Sequence, residues 1–81
     1  MGHKPRSRPQ HLAAKLLAIR DRLEMSQSQL GRALGFKKSF ARIAEYEKGR
    51  REPDLFVLLR YATLAKVPVE SLIDDNLDLP V

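Results

Sequence analysis

Apolar residues recur along this chain at helical spacing in five stretches, and nowhere with the period of two that marks a half-buried strand. Leu12, Leu16, Ile19 and Leu23 form one stripe across residues 9–24, with Lys15, Arg20, Asp21 and Arg22 mostly off it and Leu17 beside it. Residues 27–34 place Leu30, Ala33 and Leu34 on one side. Residues 40–48 turn Ile43, Tyr46 and the Glu47 stem inward and leave Ala41, Arg42, Ala44, Glu45 and Lys48 outward. In residues 55–65 the main apolar face reads as Leu55, Leu58, Leu59 and Ala62, with Phe56 and Tyr61 at its side. Residues 68–73 give a short fifth helix with Val69, Leu72 and Ile73 inward. The pattern predicts an all-α domain of five short helices, with no internal repeat or low-complexity segment.

Start and stop signals sharpen residues 26–49 into a pair of capped helices. The Ser26 hydroxyl can accept from a first-turn amide while Gln29, three residues on, reaches back to the Ser26 amide, which makes a capping box. Gly35 follows Leu34 and Gly49 follows Lys48, both where a left-handed residue ends a helix at least cost. Ser39 is the predicted N-cap of the second member, and Asp54 that of the following helix. Pro9 suits a first helical turn, where its missing amide costs nothing. Gly31 stands mid-helix at a cost of about 1 kcal/mol relative to Ala, which predicts a close approach by another helix. Helices of two to three turns do not persist alone in water, so the other helices must hold this pair.

Charge adds direction to the picture. Residues 1–51 carry thirteen Lys/Arg and four Asp/Glu, whereas residues 52–81 carry two and six, so a half of net +9 precedes one of net −4 within the overall +5. A domain polarised this way is the electrostatic footprint of a polyanion binder, although many small soluble proteins are simply basic. The stretch 1–9 is basic, proline-containing and reads either as an arm that follows a phosphate backbone or as a solvated tail. Residues 10–74 read as the folded domain and 75–81 as an acidic tail with alternating leucines.

Zero cysteines excludes disulfides and thiolate metal sites, and His3 and His11 have no ligand types clustered near them, so neither a metal nor a cofactor is expected. No apolar run is long enough to cross a bilayer and no secretory signal is visible, which fits a cytoplasmic protein without membrane partners. An enzyme is not expected from 81 residues with no convergent His/carboxylate cluster and no phosphate-cradling glycine loop.

The ordered set Ile19-Arg20, M-S-Q-S-Q-L at 25–30, L-G-F at 34–36, I-A-E-Y-E-K-G at 43–49, R-R-E-P-D at 50–54 and V-P-V-E-S-L-I at 67–73 resembles the Xre/Cro/cI family of helix-turn-helix repressors. The resemblance implies a five-helix lambda-repressor-like DNA-binding domain, with helix two across the DNA backbone and helix three in the major groove. It implies a phosphate contact for Gln27, and a partly buried salt bridge between Arg20 and Glu47 that orients helix three. Base reading then falls to the outward residues Ala41, Arg42, Ala44 and Glu45: Arg42 can bridge O6 and N7 of guanine, the alanines can touch a thymine methyl, and Glu45 can either accept from a cytosine amino group or pair with Arg42. Lys37, Lys38, Ser39, Lys48, Arg50 and Arg51 flank this face and are assigned to phosphates, which position without specifying sequence. The connection from Gly35 to Gly49 runs two residues longer than the family norm, most simply at Lys37-Lys38. The expected partner is double-stranded DNA, bound by a homodimer that uses Leu72, Ile73, Leu77 and Leu79 unless those leucines complete the monomer core. No small-molecule ligand is expected. The competing readings are an antitoxin-like or accessory protein-interaction module and a restriction-modification controller.

Overall fold

The computed structural model describes residues 9–37 and 40–80. The basic arm, together with the predicted roles of Lys38 and Ser39, lies outside the described residues apart from Pro9. Five helices follow one another: α1 (Leu12–Leu23), α2 (Gln27–Ala33), α3 (Ala41–Glu47), α4 (Leu55–Ala65) and α5 (Glu70–Ile73), with no strand among the described residues. None of these helices is long and apolar enough to cross a membrane. The core is Leu12, Leu16 and Ile19 of α1, Leu30 and Leu34 around α2, Ile43 and Tyr46 of α3, Val57, Leu58, Tyr61 and Ala62 of α4, and Leu72 of α5. Each large side chain withdrawn from water here contributes about 1.5–3 kcal/mol before chain entropy is charged against it. α1 touches α3, α4 and α5, so its stripe organises the others.

Helix ends follow local chemistry closely. Ser26 Oγ accepts from the Gln29 amide at 3.1 Å and Gln29 Oε1 accepts from the Ser26 amide at 2.8 Å, the predicted capping box. Gly35, at φ 92°, ends the α2 turn: its amide donates to Arg32 O and that of Phe36 to Gly31 O. Gly49, at φ 73°, repeats the arrangement after α3 through Tyr46 O and Glu45 O. These paired bonds satisfy carbonyls that the helix itself leaves free. Asp54 caps α4 by accepting from the Val57 amide at 2.9 Å.

Several expectations are corrected. α1 begins at Leu12 and not at Pro9, because no side chain of its own caps it; instead Asp75, from the far end of the chain, accepts from the amides of Gln10 and His11 at 2.9 and 3.0 Å. Lys15 is buried: its Nζ donates to Asp74 O and Leu77 O, which satisfies the ammonium without a carboxylate. Ala33 faces solvent, and Leu34 alone closes that end of α2. α4 is rotated from the predicted face, so Leu55, Phe56 and Leu59 are exposed (80%, 76% and 53%) while Val57 and Tyr61 point inward. α5 buries Leu72 fully and Ser71 nearly so, whereas Ile73 is exposed; Leu79 packs on the core and Leu77 does not.

Candidate nucleic-acid interface

α3 carries no side-chain cap and only seven residues, so its orientation depends on what holds it from behind. Ile43 and Tyr46 key into the core on its inner side. One turn beyond Ile43, the Glu47 carboxylate receives three donors: Arg20 Nε at 2.6 Å and Arg20 Nη2 at 3.1 Å from α1, and Gln27 Nε2 at 3.2 Å from α2. The Arg20 pair is bidentate, the geometry that suits a guanidinium best, and Nη1 goes on to Met25 O at 3.1 Å. The Glu47 side chain is only 6% exposed and Arg20 20%. This hydrogen bond raises the Arg20 pKa despite the opposing effect of burial. Burial, with the Glu47 charge second, pushes the nearby Tyr61 phenol well up, and its hydroxyl has no hydrogen-bond partner among the described residues. The predicted Arg20–Glu47 pair is therefore present and joins three helices.

The outward side of α3 is slim. Ala41 and Arg42 are exposed, and Ala44 and Glu45 are half-buried. Glu45 does not pair with Arg42; its Oε1 accepts from Arg51 Nε at 3.0 Å, across the turn after the helix. Arg42 instead lies over the Phe36 ring, its Cζ 5.8 Å from the centroid. Lys37, Lys48, Arg50 and Arg51 are exposed and flank the helix in sequence. Two of the predicted phosphate residues already have engaged side chains, Gln27 on Glu47 and Arg51 on Glu45, and of the first-turn amides of α2 that of Gln29 is taken by Ser26 Oγ.

Two aromatic residues were missed by sequence reasoning. Phe40, just before α3, sets its ring over Gly31 so closely that a Cβ there would overlap Cδ1 and lie 2.9 Å from Cε1. The close approach predicted from Gly31 is thus made by this ring and not by a helix backbone. Arg32 sits over the same ring, 5.7 Å from its centroid. Phe36 follows Gly35 as the residue whose amide closes the helix end, a position that commonly carries an apolar contact, so it had a readable signal. For Phe40 only the unexplained glycine pointed the way.

A helix-turn-helix family model matches residues 16–72. The fold is similar to that of the P22 c2 repressor protein in complex with synthetic operator 9T in the presence of Tl+, with a TM-score of 0.70 and 23% identity over 79% of this chain and 94% of that one. It is similar also to the restriction-modification controller protein C.AhdI from Aeromonas hydrophila, with a TM-score of 0.66 and 22% identity over 76% of this chain and 91% of that one. At these identities the two structures speak for the fold. No curated protein sequence matches the chain significantly.

Proposed function

Because the chain belongs to the helix-turn-helix family and is a DNA-binding transcriptional regulator, we propose that it binds a roughly palindromic duplex site as a homodimer with α3 in the major groove. The observation that carries this reading is the pairing of a slim outward face on α3 with the Glu47 cluster behind it: a reading helix must be thin towards the groove and rigid at its back. In the complex, Arg42 takes guanine O6 and N7, and Ala41 and Ala44 leave room for a thymine methyl. Glu45 reads a cytosine amino group only after leaving Arg51; held there, it keeps Arg51 beside the groove. Lys37, Lys38, Ser39, Lys48, Arg50 and Arg51 take phosphates, and the first-turn amides of α2 around Gln27 take another.

Leu55, Phe56 and Leu59 supply the dimer contact in this reading. They form an exposed apolar patch on the first turns of α4, a few residues after Arg50 and Arg51 in sequence, the kind of surface that two copies can bury against each other. Titration of binding against salt tests the proposal. The logarithm of the association constant is expected to fall steeply and linearly with the logarithm of salt concentration, and Phe56→Asp to convert dimer to monomer and weaken binding. Failure to bind any duplex at low salt, or an unchanged monomer in both proteins, would overturn it.

A further inference from the structure

We infer that Phe36 is a positioning residue for Arg42, drawing the guanidinium over its ring and so keeping its N–H groups free of carboxylates and ready to read guanine; this rests on Arg42 being the base-reading residue. Arg42 is exposed and makes no hydrogen bond or ion pair among the described residues. The carboxylate best placed to capture it is Glu45, three residues on, and Glu45 is engaged by Arg51 at 3.0 Å. That leaves the Phe36 ring as its neighbour, 5.8 Å from Cζ to centroid, within the range where a cation is drawn to an aromatic face.

The difference between the two possible holders matters chemically. A carboxylate would occupy the same planar N–H fork that guanine needs, and would have to be displaced on binding. An aromatic ring takes the face of the guanidinium and leaves the fork free. A side chain already restricted in this way loses less freedom when it meets the base.

Phe36 is anchored through its backbone and has a neighbour for its ring. The Phe36 amide donates to Gly31 O at 2.9 Å behind the left-handed Gly35, and the ring leans on Tyr46 at 6.5 Å between centroids and 52° between planes. Tyr46 belongs to the core and to α3, the helix that carries Arg42. Phe36 is thus held by the end of α2 and by the same helix whose reading residue it supports.

The test uses the full chain and a duplex selected by the wild-type protein from a randomised pool. Affinity is then measured on that duplex, on versions with each guanine replaced in turn, and on a random duplex, with circular dichroism confirming that every variant is folded. Arg42→Ala is expected to lose discrimination at one guanine. Phe36→Leu is expected to lose about two- to five-fold of that discrimination, with affinity for the random duplex unchanged. Phe36→Tyr restores it, and Phe36→Leu adds nothing in the Arg42→Ala background. Should Phe36→Leu not fold, Phe36→Met carries the same expectation. Equal weakening on all duplexes, or full discrimination in folded Phe36→Leu while Arg42→Ala loses it, overturns the role of Phe36 and leaves the reading of Arg42 standing. No loss in Arg42→Ala overturns both.

Discussion

Glu47 shows how much one side chain can settle. Its carboxylate gathers Arg20 from α1 and Gln27 from α2 on α3, at 6% side-chain exposure. Removing one partner of such a pair leaves a charge out of water, whereas removing both with apolar groups of similar size does not. Arg20→Met is therefore expected to destabilise the fold by about 3 kcal/mol, the low end of the range because Gln27 still donates. Arg20→Met combined with Glu47→Met should recover most of that loss. Urea denaturation of the four proteins checks the cycle, and a double variant as unstable as the sum of the singles would show that charge burial is not the cause. At this scale the sequence was half legible. The resemblance led to Arg20 and Glu47, but not to the Gln27 contact, because nothing local shows that its amide meets a carboxylate 20 residues away.

Elements were legible where their signals are local. The Ser26–Gln29 box, the glycines at 35 and 49 and the Asp54 cap each rest on bonds spanning a few residues, and each is found in the structure. The face of α4 was not legible, because L-F-V-L-L-R-Y-A-T-L-A is apolar nearly all round and periodicity cannot choose a phase. What chooses is the packing of Val57, Leu58, Tyr61 and Ala62 into the core. Packing also decides Gly31. Intrinsic propensity favours Ala there by about 1 kcal/mol, yet a Cβ would overlap the Phe40 ring. Phe40 is half-buried and shares its ring with Arg32, so relief by rotation gives up that contact. Gly31→Ala is thus expected to destabilise by about 1–3 kcal/mol. Adding Phe40→Ala should make the glycine replacement neutral or favourable relative to Phe40→Ala alone. Thermal melts of the set decide it, and a stabilised Gly31→Ala single variant would mean the ring moves away without cost.

Across the whole molecule, the segment after α5 folds back on the start of α1 through bonds that span more than sixty residues, which is why no reading of nearby residues anticipates them. Lys15, predicted to lie off the apolar stripe, is the buried anchor for this segment, and Asp75 supplies the cap that α1 lacks. The two amide donors hold the Asp75 pKa below its ordinary value of 3.8, with nearby His11 and Lys15 acting in the same direction. The ionised form is therefore the one that folding favours. Its contribution is complete above the unfolded pKa, near pH 4, and is lost as pH falls through the lower folded value. Asp75→Asn is accordingly expected to be less stable than wild type between about pH 5 and 7, with the difference shrinking as pH drops below about 4. Other carboxylates titrate in the same window, so the informative quantity is the difference between the two melting curves and not the slope of either. A difference that stays constant from neutral to acid pH would assign the effect to packing of the amide, and leave the α1 start without a charged cap.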